Sequence, residues 1–324
     1  MAGSVKVVSQ TIEGQWALYH ADCVDVTSGL PEGSLHYTIF SPPFQSLYTF
    51  SDDPRDMSNC TDDQTFWTHF QHLIDELYRV TMPGRLCSIH CMQLPTSKIR
   101  DGFIGLRDFR GDIIRAFQAA GFIYHSEVCI RKDPVSAMQR SKSIGLLHKQ
   151  IVKDSSLSRM AVADYIVTMR KPGENPERIA GPLDAYYGDE TTPTGPLVTE
   201  TGNMRSVNHP GDDWYSVAVW QRYAEPIWMD IVQGDVLSHR VARAEEDERH
   251  ISPLQLTVIR RCVQLWSNPG DVVFSPFAGI GSELYVALEL GRKALGAELK
   301  KSYYDQAIAN IGTLKRAQQS LFAA

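Results

Sequence analysis

The sequence predicts an α/β fold, and three observations predict it. Short apolar runs alternate with amphipathic runs through residues 1–171. A glycine-rich turn joins a short apolar run to a helical pattern near residues 271–291. An acid, Glu298, closes the apolar run that follows, 19 residues after Gly279.

Composition sets the frame. The chain has 324 residues, 43% of them hydrophobic, which suffices for one large domain or one plus a smaller module. No apolar run approaches the length that spans a bilayer, and MAGSVKVVSQTIEGQW lacks the charged start and apolar stretch of a signal peptide. The expectation is a cytoplasmic protein with no membrane partner. The six cysteines include no Cys-x-x-Cys pair, so they read as reduced, buried thiols. Cys87 and Cys91 share one face of a strand and His90 points to the other, so no metal site is expected there.

In chain order, LHYTIF (35–40) predicts a buried strand. TFWTHFQHLIDELYRV (65–80) places Phe66, Phe70, Leu73, Ile74 and Leu77 at helical spacing. RLCSIH (85–90) is the next strand, and DIIRAFQAAGF (112–122) a helix closed by Gly121. IYHSEVCIRK (123–132) and ADYIVTMRK (163–171) are further strands. Residues 172–248 change character: they are rich in Gly, Pro, Thr and acids, without a clear period. They read as an insertion, either a mobile one or a recognition module, with Trp214, Trp220 and Trp228 as its core or as DNA contacts. Order returns in 249–324, with a helix at 253–266, a strand DVVF (271–274), a turn, a helix (283–291), a strand ALGAE (294–298) and a last helix at 302–319.

The formal net charge of −6 argues weakly against nucleic acid, but its distribution matters more. Residues 131–171 hold nine Lys/Arg against three Asp/Glu, whereas 172–250 hold six against fifteen. The basic stretch supplies candidate phosphate contacts: Arg131, Lys132, Arg140, Lys142, Lys149, Lys153 and Arg159.

Two turns carry chemistry. In SPFAGIGS (275–282), Gly279 and Gly281 allow a ligand close to the backbone, and Glu298 stands where an acid meets a ribose. The turn is not a full G-x-G-x-x-G, and no G-K-S/T follows, so a nucleoside ligand without phosphates fits best; S-adenosyl-L-methionine (AdoMet) is one. The strand 35–40 runs into Ser41-Pro42-Pro43-Phe44, where the prolines must stop strand pairing. That turn reads equally as a rigid strand end or as a site for an amino group. A base amine is a poor nucleophile because its lone pair is conjugated into the ring. Acceptors such as the Ser41 hydroxyl and the Pro42 carbonyl would favour a more tetrahedral nitrogen. Phe44 would receive a base extruded from the duplex.

Together these residues resemble the β-class, circularly permuted, amino-DNA methyltransferases. FAGIG (277–281) resembles the family's F-x-G-x-G motif, and SPPF its Asp/Asn/Ser-Pro-Pro-Tyr/Phe motif, with the catalytic half ahead of the cofactor half. HADCVDVTSGLPEGSLHYTIFSPPF (20–44), ELYRVTMPGRL (76–86) and RHISPLQL (249–256) match flanking stretches. The chain departs from the pattern at Ser275, where Asp is usual, and at Ala21, where Gly is common.

The resemblance implies a Rossmann-like AdoMet-dependent methyltransferase fold with permuted motif order. The expected halves are 1–171, catalytic, and 249–324, cofactor-binding, around the inserted region 172–248. Asp22, His250, Ser252, Phe277, Ala278, Gly279, Gly281, Ser282 and Glu298 would hold AdoMet, and Ser41, Pro42, Pro43 and Phe44 would be catalytic. The partner would be double-stranded DNA, in a bacterial or phage restriction-modification setting, with a possible homodimer. Ser41 leans the target toward cytosine N4 over adenine N6. RNA or protein methylation and an inactive DNA-binding relative are further alternatives. Cytosine-C5 chemistry is disfavoured, since it uses a Pro-Cys nucleophile and no Pro-Cys occurs. The polar stretch 49–63 would be a lid that orders on substrate binding.

Overall fold

The computed structural model describes residues 7–43, 56–60, 62–96, 98–141, 147–179, 197–198, 204–205, 215–238 and 253–322. Its centre is a nine-stranded sheet. In chain order the strands are β1 (Ser9–Glu13), β2 (Trp16–His20), β3 (Leu35–Phe40), β4 (Thr81–Met92), β5 (Ile123–Ile130), β6 (Asp164–Arg170), β7 (Ile227–Trp228), β8 (Val272–Ser275) and β9 (Lys293–Glu298). Across the sheet they lie β1-β2-β9-β8-β3-β4-β6-β5-β7. From β2 through β4 every pairing is parallel, and β6 runs antiparallel to both neighbours.

The helices are α1 (Cys23–Ser28), α2 (Asp63–Val80), α3 (Phe109–Ala119), α4 (Pro134–Ser141), α5 (His148–Lys153), α6 (Tyr215–Ala224), α7 (Leu256–Trp266), α8 (Ser282–Glu289) and α9 (Lys301–Phe322). Parallel strands need covering on both faces, and two apolar clusters do this. On one face Phe66, Phe70, Leu73 and Leu77 of α2 and Phe109 and Phe117 of α3 pack on Phe40 and Ile89. On the other, Val258, Ile259 and Cys262 of α7 and Leu284 of α8 pack on Tyr37, Ile39 and Val273. The period-2 alternation of β3 thus divides it between two cores.

The expected elements between 35 and 171 and between 253 and 319 all form, with ends shifted by a few residues. The α2 helix ends at Val80, where its predicted run ends, and Pro83-Gly84 lie inside β4. The segment 172–248 differs from the expectation in one respect. Its residues 215–238 join the main sheet, with β7 pairing parallel to β5 and Trp228 fully buried in the core beside Ile130 and Ile166. Trp220 is exposed, and Trp214 lies outside the described residues.

The topology selects one place for a ligand. From β3 the chain proceeds to β4 on one side, and from β8 to β9 on the other. β3 and β8 are neighbours, with Val273 opposite Tyr37 and Phe274 opposite Thr38. A crevice opens at such a switch point, outside the carboxyl ends of the strands.

Candidate active site

Both turns singled out in the sequence leave the sheet at that switch point. Ser41-Pro42-Pro43 follows β3, and Pro276–Gly281 follows β8. The residues next to them touch: the Phe40 and Phe277 rings lie 5.7 Å apart, centroid to centroid.

The glycine-rich turn is held by its own hydrogen bonds. The Gly281 amide donates to the Ala278 carbonyl at 2.7 Å, and the Ala278 amide to the Ala297 carbonyl at 2.9 Å. Gly279 and Gly281 both have positive φ, 52° and 86°, which a side chain would oppose. Their surroundings differ. A Cβ on Gly279 would meet open space, whereas one on Gly281 would meet Ala307 of α9 at 3.0 Å. Gly279 leaves room for a ligand, and Gly281 lets α9 pack.

Glu298, at the end of β9, accepts from the Gly279 amide at 2.7 Å and from the Lys300 amide at 2.8 Å. Burial pushes its carboxyl up to about 7, against the effect of those amides, and Asp56 adds to the rise. Asp56, in a described part of the expected lid segment, thus lies within electrostatic reach of Glu298. Glu283, in the first turn of α8, is pushed up to about 8 by burial, with Glu298 adding to it. Asp22 caps α1, accepting from the Val24 amide at 2.8 Å, and it follows β2, whose His20 pairs with Glu298. The hydroxyls of Ser275 and Ser282 are buried with no hydrogen-bond partner among the described residues. Two orphaned hydroxyls, an open Gly279 and an acceptor carboxylate suit a ligand with hydroxyl and amine groups.

Ser41 is supported by residues that the sequence had not brought together. Its hydroxyl lies 2.8 Å from His90 Nδ1. His90 Nε2 lies 3.3 Å from Asp164 Oδ2, and Lys132 Nζ lies 2.7 Å from Asp164 Oδ1. These four residues come from the end of β3, the end of β4, the start of β6 and the stretch after β5. Antiparallel pairing of β6 brings its first residue to this edge, opposite Met92 and Ile130. Burial works to raise the Asp164 carboxyl, but the facing His90 and Lys132 outweigh it and hold it below the usual carboxylate range. As expected from strand geometry, His90 lies on the face opposite Cys87 and Cys91, whose thiols burial pushes up, Cys87 to about 11.

A family model described as DNA methylase, of N6/N4 methyltransferases, matches residues 35–309. The chain belongs to the N6/N4 DNA methylase family. The chain is 25% identical over 231 residues to the type II methyltransferase M.MjaI of Methanocaldococcus jannaschii, covering 70% of this chain and 61% of that one. It spans less than two thirds of the length of the curated relatives it matches. The structure of TTHA0409 from Thermus thermophilus, complexed with S-adenosyl-L-methionine, superposes with a TM-score of 0.59 at 20% identity, over 93% of this chain and 95% of that one. The cytosine-N4-specific PvuII DNA methyltransferase gives a TM-score of 0.58 at 12% identity, over 91% and 86%. At these identities the two structures show a shared fold.

The remaining expected residues divide as follows. Phe44, Lys142, His250 and Ser252, and the side chain of Arg140, lie outside the described residues. Arg131, Lys149 and Lys153 are exposed, and Arg159 is half-buried. Lys132, expected on a phosphate, is instead paired with Asp164. Since β5 ends and β6 begins at the edge where Ser41 lies, the connection 131–163 leaves and re-enters the sheet on that side. It carries seven Lys/Arg and two Asp/Glu. Among the described residues no helix is long and apolar enough to cross a membrane.

Proposed function

We propose that this chain is an AdoMet-dependent DNA methyltransferase that modifies the exocyclic amino group of an extruded base, cytosine N4 in preference to adenine N6. The observation that carries the reading is the meeting of Ser41-Pro42-Pro43 with the glycine-rich turn across the switch point between β3 and β8. Bound at that turn, AdoMet supplies an electrophilic methyl group. Glu298 and Asp22 would hold its nucleoside end, and Gly279 leaves the backbone open to it. Phe277, Ala278, Gly281 and Ser282 complete the described part of the pocket, and His250 and Ser252 belong to the same assignment. The Ser41 hydroxyl and the Pro42 carbonyl accept from the base amine, Pro43 keeps the turn rigid, and Phe44 stacks on the base. No covalent adduct with the protein is needed.

The basic connection 131–163 supports a duplex-binding edge beside this site, with Arg131, Lys149, Lys153 and Arg159 toward phosphates and Arg140 and Lys142 in the same set. Target reading falls to the segment 172–248, less the residues that build the core around Trp228. Serine, rather than aspartate, at the head of the Pro-Pro turn supports cytosine N4. Sequencing DNA from cells that express the protein, by a method sensitive to both modified bases, tests the reading. N4-methylcytosine at a defined site is expected. N6-methyladenine alone would overturn the cytosine preference. Unmodified DNA from cells holding folded, AdoMet-binding protein would overturn DNA as the substrate.

A further inference from the structure

We propose that His90, held by Asp164, is a positioning residue that acts through Ser41, taking the serine proton and with it the proton that the methylated amine must lose. This rests on the function proposed above.

The ring tautomer follows from the partners. An ionised carboxylate only accepts hydrogen bonds, so the ring nitrogen facing Asp164, Nε2 at 3.3 Å, carries the ring proton. In a neutral imidazole Nδ1 is then bare and must accept. The Ser41 hydroxyl, at 2.8 Å, is placed to be its donor. Lys132 at 2.7 Å from the other carboxylate oxygen keeps Asp164 charged, at a site where its side chain is only 3% exposed.

Serine needs this arrangement for the role proposed here. A carboxylate accepts from an amine whatever surrounds it, but a hydroxyl has a proton of its own and can donate it to the base instead. With that proton committed to His90, both lone pairs of the Ser41 oxygen are left for the amine. The proton balance closes along the same path. As the N–CH3 bond forms, the S–CH3 bond of AdoMet breaks and its electron pair stays on sulfur as a thioether, which leaves the amino nitrogen with one proton too many. That proton passes to Ser41 Oγ as the hydroxyl's own proton passes to His90 Nδ1. The imidazolium formed stands against Asp164. The charged groups that the structure places beside His90 include Asp164 on β6 and, behind it, Lys132 beyond β5, and β3 contributes the neutral Ser41.

The test has two arms. In the first, kcat and KM are measured against pH with duplex DNA and saturating AdoMet for the wild type, Ser41→Ala and His90→Gln. Loss of an acid–base group costs about 10²–10⁴-fold, and both variants are expected in that range. The KM for AdoMet should stay within about twofold, and His90→Gln should lose the acid limb of the kcat profile. In the second arm, 15N NMR of histidine in the ligand-free protein should find His90 protonated on Nε2 and bare on Nδ1 at neutral pH, with this preference lost in Asp164→Asn. That arm needs no variant at His90. A wild-type pH profile in His90→Gln, or a proton on Nδ1 of the wild type at neutral pH, would overturn the proposal. A wild type that transfers no methyl group to DNA would sink the proposed function instead, and the NMR arm would still report on the histidine.

Discussion

The central sheet carries a histidine–aspartate pair at each of its two ends, and the two ends behave differently. At the carboxyl end, His90 faces Asp164 and also Ser41, which begins a loop. At the amino end, His36 at the start of β3 faces Asp271 at 3.8 Å and Glu177 at 3.7 Å. There the charged groups face one another. Arg85, fully buried, donates to Asp271 at 2.9 Å and lies 3.6 Å from Glu177. The Asn268 amide donates to the same Asp271 oxygen at 2.7 Å, and the Val272 amide to His36 Nδ1 at 3.2 Å. Three ligand-capable side chains, His36, Glu177 and Asp271, stand within 4.8 Å of one another, yet a guanidinium occupies the place of a cation. One end closes its charges on itself, and the other directs a hydroxyl out of the strand end. Residue types alone do not separate a site from a structural network; what differs is that one chain of contacts ends among charged groups of the sheet and the other reaches a hydroxyl at the start of a loop.

Removing Asp271 should break the closed end with the largest effect. Breaking a buried ion pair from one side leaves a charge without its partner and costs about 3–5 kcal/mol. Asp271→Ala should therefore lower the urea midpoint strongly, while the folded fraction keeps its kcat and its pH profile. Replacing Arg85 as well, by Met together with Asp271→Leu, should recover most of the loss, because the apolar pair removes both desolvation penalties. A small cost for Asp271→Ala, or a changed pH profile in the folded fraction, would show that the two ends are not separate.

The acids near the glycine-rich turn sharpen the contrast. Burial pushes Glu298 up to about 7 and Glu283 up to about 8, whereas Asp164, facing His90 and Lys132, is held low. Both glutamates have folded-state values above that of an unfolded carboxylate. The folded chain thus holds protons that the unfolded chain has released. Their contribution to stability is complete below the unfolded value and is lost as pH rises through about 7 and about 8. Between about pH 5 and pH 8 the ligand-free protein should lose stability as pH rises, by up to about 1.4 kcal/mol per pH unit for each proton involved. Glu283→Gln should flatten the upper part of that slope in thermal unfolding. A slope unchanged in Glu283→Gln and Glu298→Gln alike would mean that other groups set it.

How much of this was legible in the sequence follows the same division. Periodicity predicts β3, α2, α7 and the strand–turn–helix–strand of β8, α8 and β9, because each buries a face that its own spacing defines. The Pro-Pro stop after Phe40 and the positions of Gly279 and Glu298 are local too. His90 and Asp164 were hidden for a physical reason: they meet through the antiparallel register of β4 and β6, with a long basic connection between β5 and β6. No spacing rule spans that distance. β7 was hidden as well, since two residues, Ile227 and Trp228, carry no period and are a strand only because β5 offers them an edge. At Gly281 a Cβ would meet Ala307 of α9 at 3.0 Å, a neighbour that no local spacing rule names.

The smallest effect expected concerns the open end, where Lys149 and Lys153 lie exposed on α5. They stand on the connection that rises from the edge holding Ser41, and in the proposed function they meet phosphates. Phosphate contacts strengthen binding without choosing sequence, and each contributes about 0.9 to the slope of log K against log salt on duplex DNA. Lys149→Ala with Lys153→Ala should make that slope shallower by up to about 1.8 and weaken binding to specific and random duplexes alike. AdoMet affinity and kcat at saturating DNA should not change, because neither lysine belongs to the Ser41 or Gly279 turn. Lys132→Ala provides the contrast within the same basic stretch. Its ammonium is spent on Asp164, so its loss should appear in the state of His90 rather than in the salt slope. A double lysine variant with the wild-type salt slope, or a Lys132 variant whose defect salt dependence fully explains, would place the DNA backbone on some other face.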